Sequence, residues 1–351
     1  MTRRLITSFG IIAGLALSAV PAKADEVADF YRGKTFTIVV GYSAGGGYDL
    51  YARAISRHIS KHIPGNPTII VNNMPGAGSV TSANYLYNVA PKDGLVMATF
   101  SRGLPMEPLI GTAKTQYDAT KMTWIGSASN ELSVCAVMPR APAKNWNDFL
   151  TKETTLGGEA SGSDPDTYAL MVRGLFGAKL KVVTGYPGGN DMTLAAERGE
   201  IDGRCGWSWS SIKATRPDWV SGSNKLSVLL QLSMERHKDL PDVPSAYELA
   251  VNDTQRAIIR LIVGRQLIAR PFAAPPGIPP ARRDALRKAF MDTMKDPAFL
   301  AEAKAMSLEI EPVNGEDVTK LINDIYASPR EIIEQARHIL AGGADRSVKK
   351  E

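Results

Sequence analysis

The chain has 351 residues, 44% of them hydrophobic and 22% charged, with 31 Gly and 22 Pro, which suits a soluble protein long enough to form two lobes or domains. Setting aside a basic leader at residues 1–24 lowers the formal net charge from +5 to +2, and no basic stripe with interleaved aromatics is present, so no nucleic-acid partner is expected. Two Cys and four scattered His give no zinc-ligand pattern, and no metal or cofactor is expected.

The leader reads "MTRR", then the apolar run "LITSFGIIAGLALSAV", then Ala22-Lys23-Ala24, which fits the small-x-small cleavage rule. A cleaved signal peptide is therefore expected, with the mature chain starting near Asp25. The competing reading, a membrane anchor, is disfavoured because Thr7, Ser8 and Ser18 interrupt a run already short for a span of about 20 residues. The leader carries no Cys, so a lipoprotein anchor is not expected. No later segment is apolar enough to cross a membrane.

Thr35–Val40 is a β-branched run and predicts a strand. Tyr48–Ile63 predicts a helix whose Tyr51, Ile55, Ile59 and Ile63 form one buried stripe, stopped by Pro64-Gly65. "PTIIVNN" predicts a strand, "MPGAGS" a Gly-rich turn, Val80–Val89 a helix and "GLVMATF" a third strand. This alternation implies a parallel sheet. From about residue 131 a second α/β unit follows: strands at "LSVCAVM", "TTLGG", "KLKVVTGY", "IDGRCGWSW" and "KLSVLLQLS", with helices at "NWNDFLTK", after "SGSDPD", and in "GGNDMTLAAERGE". "LIVGRQLIARPFAAPPGIPP" is apolar and then Pro-rich. Helices at Ala281–Lys295, Pro297–Met306 and Glu316–Gly342, the last with breaks, are expected to return to the first lobe. The domain reading is thus residues 25–130 plus 260–351 for lobe 1 and 131–259 for lobe 2. The crossings fall near 130–138 and 258–272, the arrangement of a hinged clamp. Export makes a Cys135–Cys205 disulfide possible. Spacing alone does not bring the two together, and a pair of buried thiols is the slightly favoured alternative.

Gly41-Tyr42-Ser43-Ala44-Gly45 matches the G-x-S-x-G pattern of serine hydrolases. A nucleophile elbow also needs an earlier strand–helix loop to complete its oxyanion hole, and only residues 25–34 precede this strand. His58 and His62 lie on the helix leaving the motif, and nothing ties His237 or His338 to Ser43. The same stretch is a strand, a Gly-rich turn and a helix start, whose free N–H groups and dipole favour an anion. "MPGAGS" repeats that context one unit later, and both turns belong at the carboxyl edge of a parallel sheet, where ligands bind. A phosphate loop is disfavoured because no Lys-Ser or Lys-Thr follows the glycines. The favoured reading is a binding protein rather than an enzyme, with an exported serine hydrolase using Ser43 as the alternative.

"KTFTIVVGYSAGGGYDLYARAISRHI", "VNNMPGAGSVTSANYL…PKDG", "GYPGGNDMTLAAERGEIDG", "LQLSMERHKDLPDVPSAYE" and "FAAPPGIPPARRDALRKAFMDTMKDPAF" together resemble, in order, the solute-binding receptors of tripartite tricarboxylate transporters, the Bug or TctC-like family. The resemblance implies an α/β, type II-like, two-lobed periplasmic binding protein of the Venus-flytrap kind, each lobe a mainly parallel sheet flanked by helices. It implies a monomer that captures a small organic carboxylate and delivers it to large and small integral membrane subunits; some family receptors also feed signalling proteins. It places one ligand carboxylate on Ser43, Ala44, Gly45, Gly46, Gly47, Tyr48 and Asp49 and on Pro75, Gly76, Ala77, Gly78 and Ser79, with Ser101 beside them.

In lobe 2 the family's Gly-Ser-Gly-Thr-like turn is replaced by "SGSDPDTY", so Ser161, Gly162 and Ser163 stand where the second contact turn is expected. Asp164 is expected as an N-cap with Pro165 at the first helical position. Asp164 and Asp166 add negative charge there, which favours a monocarboxylate or a ligand with a polar or cationic far end. Arg102 is weighed equally as a bidentate carboxylate partner and as a solvated surface residue. Trp207 and Trp209 would share a face if their strand continues. Trp207 and Tyr186 are candidate stacking partners for a ligand, although core packing is the commoner fate of Trp.

Overall fold

A computed structural model describes residues 23–111 and 113–343. The expected leader, residues 1–24, falls almost wholly outside them, and the first helix is Lys23–Tyr31. In chain order the strands are β1 Thr35–Val40, β2 Thr68–Asn73, β3 Val96–Thr99, β4 Thr123–Ser127, β5 Ser133–Val137, β6 Thr154–Gly157, β7 Leu180–Val183, β8 Gly203–Ser208, β9 Ser227–Leu232, β10 Pro271–Ala274 and β11 Val313–Asn314. They form two sheets, β11-β4-β10-β3-β1-β2 and β7-β6-β8-β5-β9.

The alternating apolar pattern of the first unit does what its period requires. β1 pairs in parallel with β2 and β3. The stripe Tyr51, Ile55, Ile59 and Ile63 is fully buried against Ile38, Val40, Phe272 and Phe290. The helix carrying it runs Gly47–His58 and tightens into a 3₁₀ turn over Ile59–His62. Both sheets are mixed, because the strand after each crossing runs against its neighbours. β5 is antiparallel to β8 and β9, and β10 is antiparallel to β3 and β4. β4, β10, β11 and the helix Asp253–Val263 were not anticipated. β10 is four residues long and opens on a proline, a legitimate first strand position but one that reads as a loop in sequence.

Among the helices of the carboxyl-terminal segment, Pro280–Thr293 and Pro297–Ala305 pack on the six-stranded sheet's core. The last helix, Arg330–Leu340, differs. Its Ala336, Ile339 and Leu340 are buried with Tyr168, Met171 and Leu175 of the helix Asp164–Phe176, in the core of the five-stranded sheet. Its strongly amphipathic sequence specifies a buried face but not which core receives it.

Cys135 and Cys205 form a disulfide, against the slight preference for free thiols. They sit on adjacent antiparallel strands, and a register shift between Val134 and Ala136 sets Cys135 against Cys205. That register is a tertiary fact which spacing cannot encode. No described helix is long and apolar enough to cross a membrane.

Candidate functional site

The Gly-rich turn after β1 is held from within. Gly45 takes a positive φ of 82°, and the Asp49 carboxylate accepts from the Gly45 amide at 2.9 Å, from Arg53 Nε at 2.8 Å and from Asn73 Nδ2 at 2.9 Å. Burial pushes the Asp49 carboxyl up, but Arg53, Gly45 and Asn73 outweigh it and hold it below its ordinary value. Asp49 is therefore committed to shaping the turn. The first helical bond runs from Leu50 N to Gly46 O, so the N–H groups of Gly47, Tyr48 and Asp49 precede the helical ladder.

A second helix origin faces this one. In the helix Gly189–Arg198 the first bond runs from Met192 N to Gly188 O, again leaving three amides ahead of it. A β-carbon built on Gly46 would lie 3.7 Å from the backbone nitrogens of both Gly189 and Asn190. Ser43 closes the contact: its Oγ donates to Asp191 Oδ2 at 2.5 Å, and its N–H reaches the Pro187 carbonyl at 3.4 Å. Between the two helix origins lies a cavity of about 50 Å³, lined by Tyr42, Gly45, Gly46, Gly47, Tyr48, Gly189, Asn190, Arg204, Trp207, Ser208, Ser211 and Arg270, with Glu159 and Asp164 among its remaining wall. Two positive helix ends and two guanidinium groups thus converge on one small space, an arrangement that favours an anion.

Of the residues expected to bind, Gly45, Gly46, Gly47, Tyr48 and Trp207 line this cavity. Ser43 and Asp49 build its rim as described, and Ala44 is an exposed residue of the same turn. The second turn lies elsewhere. Pro75 and Ala77 are exposed, while Gly76, Ala77, Gly78 and Ser79 all take positive φ. Ser79 Oγ donates to the Gly41 carbonyl and accepts from Ser101 N. This turn abuts Ser161, Gly162 and Ser163: a β-carbon on Gly78 would lie 3.1 Å from Ser163 Cβ and 3.3 Å from the Ser161 carbonyl, and Ser101 Oγ donates to Gly162 O at 3.3 Å. Both expected contact turns are in touch with each other, beside the cavity rather than on its wall.

Arg102 is neither solvated nor facing the cavity. It is fully buried, pairs with Asp164, and donates to Ser133 Oγ at 2.7 Å. Arg265 flanks the same carboxylate at 3.3 Å. Burial pushes the Asp164 carboxyl up, but Arg102 and Arg265 hold it below its ordinary value. Asp164 is the first residue of its helix and Ser163 the cap, one position from the expected register. Asp166 accepts from Glu159 N and Ser163 Oγ, tying its charge to the helix start. The strand β8 ends at Ser208 and Trp209 opens a helix, so the two tryptophans do not share a strand face. Trp207 packs edge-on against Trp219. Tyr186 is half-buried against the same cluster. No group of three or more His, Cys, Asp or Glu among the described residues is arranged to hold a metal.

The reading from sequence missed Gly189, Asn190, Arg204, Glu159, Ser211 and Arg270. A signal existed for the first two: "YPGGND" is a third Gly-rich turn between a strand and a helix. The others are single residues brought in by tertiary structure.

Comparison with known proteins accords with this geometry. The model of the tripartite tricarboxylate transporter family receptor matches residues 51–337. A Cupriavidus necator protein described as the UPF0065 protein in the gbd 5' region is 25% identical over 346 residues, covering 95% of this chain and 97% of that one. The fold is shared with the periplasmic binding protein BugD, at a TM-score of 0.70 and 19% identity over 88% of this chain and 98% of that one. It is shared also with MatC from Rhodopseudomonas palustris with bound malate, at a TM-score of 0.67 and 19% identity over 88% and 99% of the two chains. A match across most of the length, on a chain whose paired sheets enclose a cavity between two helix origins, places it: this protein belongs to the tripartite tricarboxylate transporter receptor family.

Proposed function

We propose that this protein is a periplasmic receptor that captures a small organic carboxylate between two lobes and delivers it, as a monomer, to the integral membrane subunits of a tripartite transporter. The lobes would be residues 25–130 with the segment from about 264 to 326, and residues 131–263 with the helix Arg330–Leu340, which packs in the second lobe's core, the crossings falling near 130–138 and 258–272. The observation that carries the reading is the convergence of the Gly47 and Gly189 helix origins, with Arg204 and Arg270, on one small cavity. Malate in MatC and adipate in a second R. palustris protein of the same fold support a carboxylate as the ligand class. The ligand carboxylate would sit against the amides of Gly46, Gly47 and Tyr48, and closure would be favoured by the contacts it adds across the cavity.

The charge of Asp164 and Asp166 weighs less against a dicarboxylate, because Arg102 and Arg265 offset Asp164 and burial pushes the Asp166 carboxyl up. Thermal-shift screening against a carboxylate library tests the receptor reading. A binder raises the melting temperature in proportion to its concentration over Kd. No shift with any carboxylate, together with ester turnover and labelling of Ser43 by a serine-reactive phosphonate, would replace the receptor with the hydrolase.

A further inference from the structure

Four buried arginines surround the cavity and its back wall, and three have a carboxylate of their own: Arg102 and Arg265 share Asp164, and Arg270 pairs with Glu131. Arg204 is the exception. It has no carboxylate within ion-pair reach among the described residues; its Nε has no hydrogen-bond partner, and its Nη2 makes one long bond to the Gly206 carbonyl at 3.4 Å. It lines the cavity while remaining 92% buried, its guanidinium over the Trp207 ring at 5.4 Å and without a carboxylate at ion-pair distance. A group in that state is costly unless something pairs with it.

Glu159 lines the same cavity and is 93% buried, with its Oε2 unpartnered. The groups facing it are Tyr42 from the first Gly-rich turn, Arg204 from β8, and Asp164 and Asp166 from the helix behind. Three carboxyl groups therefore crowd one turn. Asp164 is neutralised by two arginines; burial pushes the Asp166 carboxyl up, although Ser163 Oγ and the Glu159 amide oppose this; Glu159 is buried beside both. Burial pushes its carboxyl up to about 8; Arg204 opposes this, and Asp166 and Asp164 add to it.

Resting on the carboxylate-receptor reading, we infer that Arg204 and Glu159 form a recognition pair on the cavity wall, seating the second carboxylate of a dicarboxylate ligand. Arg204 donates two N–H groups to it and Glu159 donates its O–H. The orphan guanidinium gains its counter-charge, and the Glu159 proton is held between two oxygens. No bond is made or broken; when the solution is above the range in which Glu159 holds its proton, one proton is taken from buffer for each ligand bound. The pair is a specificity device as well. A monocarboxylate leaves Arg204 unpaired, and an ionised Glu159 would repel a second carboxylate.

Isothermal titration of the full mature chain with malonate, succinate, glutarate, adipate and butyrate, from pH 6.5 to 9.5, tests this. The best-fitting dicarboxylate should keep a constant Kd at the acid end and weaken about tenfold per pH unit above about 8. Heats measured in buffers of different ionisation enthalpy should show one proton taken up per ligand at pH 9. Butyrate, if bound, should show a flat profile. Glu159→Gln, which keeps the shape and a neutral donor, should bind the dicarboxylate equally at pH 7 and pH 9. Arg204→Met should lose the dicarboxylate by at least a hundredfold and weaken butyrate far less, with unaltered far-UV circular dichroism as the folding control. A dicarboxylate profile that is flat to pH 9.5, or that falls as steeply in Glu159→Gln, overturns the pair while leaving the receptor reading standing. Failure of every carboxylate to bind at any pH overturns both.

Discussion

Glu131 and Arg270 form an ion pair at 3.2 Å with both side chains 1% exposed, and each lies on a different passage of the chain between the two sheets. Glu131 follows β4, and Arg270 immediately precedes β10. The passages also bond each other through the backbone, Ala128 N to Arg270 O, Ala269 N to Ser129 O and Glu131 N to Gln266 O. The Arg270 guanidinium is sandwiched near the rings of Tyr48 and Tyr51. The same residue therefore touches the crossing, the helix Gly47–His58 and the cavity wall, which ties the geometry of the site to that of the chain passages between the sheets.

Removing one partner of such a pair leaves a buried, uncompensated charge. Glu131→Gln should therefore cost about 3–5 kcal/mol in urea unfolding. The double variant Glu131→Leu with Arg270→Met should recover most of that loss, because it removes both charges together. A loss below about 1 kcal/mol in the single variant would mean that water reaches the pair in solution.

Ser43 was the residue of greatest ambiguity in sequence, and its hydroxyl is spent on Asp191 across the cavity. A hydrogen bond to a charged acceptor contributes about 1.5–3 kcal/mol, and this one exists only while the two turns meet. Ser43→Ala should thus raise the Kd for a bound carboxylate by about tenfold or more while leaving the urea midpoint of the free protein nearly unmoved. Calorimetry showing unchanged affinity would remove this contact from the energetics of closure.

What could be read in the chain, and what could not, divides along a physical line. β1 and the stripe from Tyr51 to Ile63 were legible because a strand and a helix announce themselves by period, and the Gly45–Gly47 turn because glycine clusters mark backbone conformations few residues adopt. The second turn was equally visible, but its direction was not: Ala77 and Ser79 in the left-handed region turn it onto Ser161–Ser163. Arg204 and Glu159 were illegible for a different reason. Neither belongs to a motif, and they meet only because β8 sits beside β6 in the sheet order. β10 escaped notice because four residues give too little period to count.

Gly47 marks how closely the two halves approach. A β-carbon there would lie 2.3 Å from Ser211 Oγ and 3.1 Å from Arg270 Nη2. Its backbone is helical, so Gly47→Ala should fold normally; the nearer obstruction, Ser211 Oγ, lies in the other proposed lobe and is met on closure, whereas Arg270 stands in the lobe of Gly47 itself. Overpacking of this kind costs about 1–3 kcal/mol, which predicts a Kd raised about tenfold or more. Adding Ser211→Ala should restore part of the affinity, since the nearest obstruction is that hydroxyl. A double variant no better than the single would locate the obstruction at Arg270 instead.

The disulfide supports the strand that carries Arg204. Cys205 follows Arg204 directly, and its bond to Cys135 joins β8 to β5 across a sequence separation of 70 residues. A crosslink of that separation removes about 4 kcal/mol of chain entropy from the unfolded state by the loop-closure model. Both half-cystines are fully buried in the core of the five-stranded sheet, so the paired variant Cys135→Ala with Cys205→Ala also loses apolar contact there. Urea unfolding of that variant should show a loss of about 4 kcal/mol or more, and the wild type in excess reductant should approach it. If the oxidised and reduced wild-type proteins unfold at the same urea concentration, the crosslink makes no contribution to stability and the sheet alone sets the position of Arg204.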